Sequence, residues 1–287
     1  MANTYQYIDG DGATHTLYVA GTTTDKFVQP LSERDWDASS VADHYHEPTP
    51  SRLADTYRGT LYKVRGYSFT TLLLATTAGG LEGLKSSWAD WHDPELGEGQ
   101  LKRITHRGTT RVLDCIPGRA TYRPDIRGNR ESQISEFVTQ VYVAGIPWWR
   151  DAALTTASGA FTGTTAATIG VSNAGDIPAW IKVSVTGIVD RPSIAVGSDS
   201  MVVTGSSGQA TDLIIYKTMP HGTYGRTVRN WSGGTGGVGT GGYTFMRLTA
   251  GSKYLQLPKG ASVLTFTATS GTAAILVEWY NYYGSLF

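Results

Sequence analysis

This 287-residue sequence has one cysteine, no net charge and no long apolar run. The single cysteine, Cys115, excludes an internal disulfide framework and suits assembly in a reducing cytosol. Lys plus Arg equals Asp plus Glu at 24 each, which leaves no global field to attract nucleic acid or an acidic membrane. The apolar run FTTLLLATTAGG (residues 69–80) is too short to span a bilayer, and the N-terminus MANTYQYIDGDG lacks the features of a signal peptide. We therefore expect a soluble protein that is not exported by a conventional signal.

The sequence is rich in glycine and tyrosine, and its composition changes near the stretch PWWRDA (residues 147–152). The 35 Gly, 16 Tyr and abundant Thr favour strands and turns over helices. Residues 1–150 carry 34 charged side chains, whereas residues 151–287 carry 14. This shift predicts two domains, 1–150 and 151–287, joined by a small, polar linker. We expect Trp148 and Trp149 to close the core of the first domain or to pack against the second.

The second domain is predicted to consist of strands. In AWIKVSVTG (residues 179–187) the apolar Ile181, Val183 and Val185 alternate with polar residues, which is the period of a half-buried strand. VLTFTAT (residues 263–269) repeats the pattern, turn residues separate further short strands, and no helical stripe interrupts them. The pattern predicts a β-sandwich.

The first domain is predicted to be mainly β with one helix. Hairpins are expected about the turn DGDG (residues 9–12) and about Arg107-Gly108, and a long strand over residues 131–145. An amphipathic helix is expected to end at Pro94, with apolar residues at steps of three and four: Leu81, Leu84, Trp88 and Trp91. The polar segment 32–52 has no clean period and is expected to be a functional loop or an extended arm.

The sequence contains few candidate catalytic or metal-binding groups, and their spacing does not match a familiar motif. His44 and His46 could bind a metal from one face of a strand, but no third ligand stands at a familiar spacing, and a solvated loop explains them as well. Cys115 with His106 suggests a thiol nucleophile, although a lone cysteine at a strand end is more often a small buried residue. The Gly-rich run 233–242 lacks the Lys-Ser/Thr of a phosphate loop. No pair of carboxylates indicates hydrolysis. We expect no enzyme activity, no metal and no cofactor.

Two sets of residues are candidates for binding a partner. Trp231 and Tyr243 flank the Gly-rich run and could stack on sugar rings, the alternative being that they are core residues at strand ends. Residues 102–130 hold eight basic side chains against two acidic ones and only one interleaved aromatic, which favours a solvated face or a seam with an acidic neighbouring subunit over a nucleic-acid groove. The candidates for this seam are Lys102, Arg103, Arg107 and Arg111, with acidic residues of the 31–47 segment, among them Glu33 and Asp35, as their mates.

The order of these segments resembles the distal tail protein (Dit) family of long, flexible-tailed phages, in particular the minor tail proteins of phages that infect actinobacteria. The resemblance is carried by the helix-to-hairpin stretch WADWHDPELGEGQLKRITHRGTTRVLDC, the strand EFVTQVYVAGIPWWRDA, the segment VSNAGDIPAWIKVSVTG, the segment TDLIIYKTMPHGTYGRTVRN and the C-terminal LQLPKGASVLTFTATSGTAAILVEWYNYYGSLF. It covers most of residues 55–287.

This resemblance implies a structural virion protein. Residues 1–150 would be a ring-forming belt domain, with a helix and an arm, and residues 151–287 an outward galectin-like β-sandwich. Six copies would form a ring at the tail tip that joins the tail-tube protein to the baseplate hub or tail lysin and carries host-recognition proteins. The alternative is a carbohydrate-binding module or a receptor-binding tail protein. The resemblance implies neither membrane insertion nor sequence-specific nucleic-acid binding.

Overall fold

The structure, a computed structural model, places twenty-two strands, one α-helix and one short 3-10 helix in the part of the chain that it describes. The described residues are 4–18, 26–28, 42–47, 56–62, 65–105, 107–124, 134–144, 146, 148–207, 213–217, 227–231, 243–246 and 248–284. The chain divides into two compact units, Met1–Ala152 with Gly284–Phe287, and Ala153–Tyr283. None of the helices in these described residues has the length and apolar character that a membrane span needs.

The first unit holds ten strands and the helix α1. The strands are β1 (Thr4–Ile8), β2 (Thr14–Tyr18), β3 (Lys26–Val28), β4 (Ala42–Glu47), β5 (Thr56–Tyr62), β6 (Arg65–Ala75), β7 (Gly99–Ile104), β8 (Thr110–Pro124), β9 (Ile134–Ala144) and β10 (Trp149–Asp151); α1 is Ala78–Trp91, and the 3-10 helix is Pro94–Leu96. Seven strands form one sheet in the order β2-β1-β7-β8-β9-β6-β3, and β10 pairs with the first part of β8. The strand pairs within this sheet are antiparallel, and two of them, β1–β2 and β7–β8, are hairpins.

Both predicted hairpins of the first unit are confirmed. β1 and β2 are joined by the DGDG turn, and β7 and β8 by a turn over residues 105–109. Gly12 and Gly108 lie at φ +87° and +81° in these two turns, a left-handed conformation that a side chain disfavours. Glycine at these positions therefore fixes where the chain reverses.

Helix α1 covers one face of this sheet. Its Thr77 N-cap accepts a hydrogen bond from the Gly80 backbone N–H at 3.0 Å, and Leu81 and Trp88 of its apolar stripe are buried. The helix begins three residues before the predicted stripe, because the Thr77 cap supports a first turn that contains two glycines. Trp88, Leu101, Val138 and Tyr142 are among the fully buried side chains of this core.

The predicted polar arm contains one strand of a two-stranded sheet. β4, which lies within the segment 32–52, pairs antiparallel with β5, and the two form a sheet of their own with a register shift between Tyr45 and His46. The remainder of the segment lies outside the described residues. The arm is therefore a β-ladder in the part of it that the structure describes.

The second unit is a sandwich of two antiparallel sheets. Its strands are β11 (Thr155–Thr162), β12 (Ala167–Asn173), β13 (Ala179–Asp190), β14 (Ser193–Val196), β15 (Asp199–Val202), β16 (Leu213–Lys217), β17 (Thr227–Trp231), β18 (Tyr243–Phe245), β19 (Gln256–Leu257), β20 (Gly260–Thr267), β21 (Ser270–Trp279) and β22 (Tyr282–Tyr283). One sheet has the order β11-β21-β13-β16-β17-β18, with β19 beside β13, and the other has the order β12-β20-β14-β15. Phe161 of the first sheet contacts Phe266 of the second edge to face at 5.1 Å, so the two sheets share a core. The predicted alternation in β13 is confirmed, because Ile181, Val183 and Val185 are fully buried.

The segment after β12 is held by the buried amide of Asn173. Its Nδ2 donates to the carbonyls of Ile177 and Leu257 at 2.9 and 3.3 Å, and its Oδ1 accepts from the Gly175 N–H at 3.0 Å. A Cβ on Gly175 would lie 2.7 Å from the backbone nitrogen of Tyr282, too close for any real side chain. The Asn-x-Gly pattern therefore has a packing role in this unit.

Candidate assembly interface

The stretch PWWRDA contributes first to the core of the first unit. Trp149 belongs to the buried core and meets Tyr67 edge to face at a ring distance of 6.2 Å. Trp148 is also buried. The prediction that a tryptophan of this pair closes the core of the first domain is confirmed for Trp149.

Arg150, the next residue, points to the opposite face of the sheet and forms a buried ion pair with Asp114. Its Nε and Nη2 donate to the two carboxylate oxygens at 2.6 and 2.7 Å, and Gln100 donates to the same carboxylate at 3.0 Å. Both charged side chains are at most 10% exposed. Such a bidentate pair satisfies the desolvated charges and fixes β10 against β8.

Two of the predicted interface residues, Arg103 and Arg111, are engaged within the first unit. Pairing of β1, β7, β8 and β10 aligns Tyr5, Arg103, Arg111 and Asp151 in one row across the strands. Arg103 is 6% exposed and lies 5.9 Å from the ring centre of Tyr5. Arg111 forms an ion pair with Asp151. These contacts give both arginines a structural role within the first unit, and their place at a subunit interface stays a prediction.

The other predicted interface residues stay available as candidates. Arg107 is exposed at the β7–β8 turn, and Lys102 is half-buried on β7. The turn is held by hydrogen bonds from the Gly108 and Thr109 N–H groups to the Thr105 carbonyl and hydroxyl, at 2.9 and 3.1 Å. Arg107 therefore extends from a well-defined support. Glu33 and Asp35 lie outside the described residues.

A buried histidine fixes the end of α1 against the sheet. His92 stacks between Tyr7 and Trp88 at ring distances of 4.7 and 4.5 Å. Its Nδ1 donates to the Trp88 carbonyl, so its Nε2 accepts from the Tyr142 hydroxyl, both at 2.8 Å. Burial lowers the pKa of His92 to about 4, so the ring is neutral at physiological pH. Sequence patterns did not reveal this group, because two of its partners, Tyr7 and Tyr142, come from β1 and β9.

A second histidine contact closes the β1–β2 hairpin onto the helix. His15 Nε2 lies 2.7 Å from Asp9 Oδ2, and the His15 ring stacks on Trp91 at 4.6 Å. The hydrogen bond to His15 lowers the pKa of Asp9. The DGDG turn is thus tied to the last turn of α1.

The hypotheses of a thiol nucleophile at Cys115 and of a metal site at His44 and His46 receive no support from the described residues. Cys115 is 1% exposed, and burial raises the pKa of its thiol, so the interpretation of this cysteine as a small buried residue is confirmed. His106 lies outside the described residues, and for His44 and His46 only the backbone of β4 is described. Within the part of the chain that is described, no three His, Cys, Asp or Glu side chains come together in a way that could hold a metal ion.

The candidate glycan residues occupy neighbouring backbone positions. Trp231 of β17 pairs directly with Tyr243 of β18 across the antiparallel ladder. Their side chains and the Gly-rich run between them lie outside what is described. The structure therefore places the two residues side by side in the sheet.

The arrangement defines a mainly β protein of two units. The first unit carries one helix, and ion pairs join its strands. No family pattern matches the sequence, and no curated protein matches it. Among solved structures, the chain is similar to the Dit protein of phage SPP1, described as a paradigm of the hub adsorption apparatus in phages that infect Gram-positive bacteria. The TM-score is 0.57 at 10% identity, over 97% of this chain and 99% of that one. A chain of the activated phage P2 baseplate with Ca gives a TM-score of 0.45 at 10% identity, over 96% and 98% of the two chains.

The chain therefore has the fold of the SPP1 distal tail protein. The predicted resemblance to distal tail proteins is confirmed at the level of the fold, and so is the mainly β class. The particular likeness to phages of actinobacteria stays a prediction.

Proposed function

We propose that this chain is a distal tail protein of a long-tailed phage, a structural component of the virion at the tail tip. The observation that carries the proposal is the match to the SPP1 Dit protein over nearly the whole of both chains. Because the match spans both units, the similarity to the SPP1 protein extends beyond a single β-sandwich, a fold that many unrelated proteins share. The proposal includes a six-membered ring that joins the tail tube to the baseplate hub and carries host-recognition proteins.

The first unit has features that suit a ring-forming role. The β4–β5 pair forms a sheet separate from the main sheet, as expected of an arm that reaches a neighbouring subunit. The β7–β8 turn presents Arg107 to solvent from a hydrogen-bonded support. We propose that the protein acts by assembly and not by catalysis, with itself, the tube protein and the hub as its partners.

The experiment that tests the proposal measures the mass of the full chain at high concentration and in isolated tails. Six copies of a 30.9-kDa chain give about 185 kDa. Mass photometry of the purified chain, alone and with the tail-tube protein of the same phage, should show this species. Quantitative proteomics of intact particles should give six copies per tail. A particle with no copies of the chain, or with one or two, contradicts the proposal.

A second candidate function is glycan binding by the second unit. It is favoured by the direct pairing of Trp231 with Tyr243, since residues paired across a ladder have Cβ atoms about 5 Å apart and can form one stacking surface. The test is binding of host cell-wall glycans by the Trp231→Ala/Tyr243→Ala variant, with Tyr254→Ala, which removes an exposed aromatic elsewhere in the unit, as the control. Loss of binding at unchanged melting temperature supports this function. A fall in stability of about 3 kcal/mol or more identifies the pair as core residues instead.

A further inference from the structure

A groove lies between the end of α1 and the second half of β8. Its volume is about 440 Å³, and its lining combines apolar side chains with polar groups, among them two carboxylates and the buried Gln140 and His92. We call it the acidic groove, and define it by Trp88, Asp90, Asp93, Gly118, Ala120 and Tyr122. The small residues of β8 leave the space open beside the aromatic side chains.

Within the described residues, no cation forms an ion pair with the two carboxylates of the acidic groove, Asp90 and Asp93. Residues 82–98 hold five acidic side chains and one basic residue, Lys85. Lys85 already pairs with Glu82 and Glu136, each at 3.2 Å. The last turn of α1 has no basic residue, although the C-terminal end of a helix favours a cation, and Asp90 lies there instead. The groove therefore suits a positively charged group with an apolar stem.

Arg107 has the chemistry that this groove lacks. It is exposed, it lies on the hydrogen-bonded β7–β8 turn, and its guanidinium can bind a carboxylate in a bidentate geometry. It is also out of reach of the groove of its own chain. Thr110 and Ala120 are ten residues apart on β8, which corresponds to about 30 Å along an extended strand. A single subunit thus carries Arg107 at one end of β8 and the acidic groove towards the other.

We propose that the β7–β8 turn of one copy inserts Arg107 into the acidic groove of the next copy. The guanidinium pairs with Asp90, and its methylene stem lies against the apolar wall near Ala120. This contact uses a different patch on each partner, which is the head-to-tail arrangement that closes into a ring. The inference rests on the proposed function in assuming that copies of the chain assemble, and it identifies the residues of the seam.

Charge reversal tests the contact. Arg107→Glu and Asp90→Arg should each weaken self-association about tenfold or more, and the double variant should restore most of it. Asp90→Arg places a cation at the C-terminal end of α1, so it should leave the fold at least as stable. Lys259→Glu and Asp176→Arg are matched controls at exposed positions of the second unit, outside the contact, and they should leave association unchanged. Association is measured by analytical ultracentrifugation and stability by thermal unfolding of the same samples.

Disulfide trapping tests the same contact without changing its charges. Thr109 and Ala89 are exposed beside Arg107 and Asp90, and the native Cys115 is buried. A mixture of Thr109→Cys and Ala89→Cys chains should give a cross-linked dimer under mild oxidation, and either variant alone should give much less. Equal cross-linking of one variant with itself indicates a two-fold contact and overturns the proposal.

The outcomes separate this seam from the proposed function. If the wild-type chain forms its ring while both charge reversals leave the ring intact and no mixed disulfide forms, the seam lies elsewhere and the distal tail role stands. If Asp90→Arg blocks binding of the tube protein but not self-association, the acidic groove serves another partner and the proposal is wrong. A chain that is absent from isolated tails contradicts the proposed function itself.

Discussion

Acidification should destabilise the first unit through His92 in a defined pH window. The pKa of His92 is about 4 in the folded chain against 6.5 for an ordinary histidine. Because the folded state holds the ring neutral, its full stabilisation is present above pH 6.5 and is lost as the pH falls towards 4. The difference corresponds to about 3.4 kcal/mol in total, of which about 2 kcal/mol is lost by pH 5. Asp9 has a lowered pKa, so its contribution is lost only below its ordinary value of 3.8, outside this window.

The assay is urea unfolding of the wild-type chain and of His92→Gln between pH 7.5 and 4.5. Glutamine can donate to the Trp88 carbonyl but does not titrate, so the variant should be less stable at neutral pH and much less sensitive to acid. The free energies of unfolding of the two proteins should therefore converge by about 2 kcal/mol between pH 7.5 and 5. A proton NMR titration of the folded chain should give a midpoint near 4 for His92. A midpoint near 6.5, or parallel pH profiles for the two proteins, would refute the reasoning.

Three further predictions concern single features of the fold. Arg150→Met leaves Asp114 as a buried, unpaired charge and should lower the free energy of unfolding by about 3–5 kcal/mol, whereas Arg123→Met at an exposed site should change it by less than about 0.5 kcal/mol. Gly175→Ala should destabilise the second unit by about 2 kcal/mol or more in a melting experiment, while Gly170→Ala, with open space around its Cβ, should be neutral or stabilising; equal effects would contradict the packing role. Limited proteolysis should cut first in the exposed residues between β10 and β11, and an earlier cut within β11–β15 would argue against separately folding units.

Local patterns of the sequence predicted much of the fold. The alternation around Ile181 and the spacing of Leu81 and Trp88 depend on one strand or one turn of helix, so they can be recognised without knowing what packs above them. Turns that require glycine, such as the one at Gly108, located the hairpins for the same reason. The predicted apolar stripe begins at Leu81, whereas α1 begins at Ala78. The sequence does not indicate the first turn because that turn contains two glycines, and the Thr77 cap supports it.

The candidate site was harder to predict, because it depends on which strands pair. A count of basic residues in 102–130 does not show which face each of them occupies. Arg111 meets Asp151 only because β10 returns along β8, 40 residues later in the chain. His92 likewise has its partner Tyr142 on a strand 50 residues away. Contacts of this kind require the tertiary structure.

The internal pairing of charges changes what the composition of the first unit means. The first unit is rich in charged side chains, and Asp114 with Arg150 and Arg111 with Asp151 form ion pairs within it. Arg107 lies exposed at one end of β8, and the acidic groove lies towards the other end, where the strand also exposes Arg119 and Arg123. A two-fold contact centred on Arg107 would place like charges against each other, which is costly, whereas the proposed head-to-tail contact pairs Arg107 with Asp90. The proposed head-to-tail contact therefore suits the exposed Arg107 better than a two-fold contact centred on it.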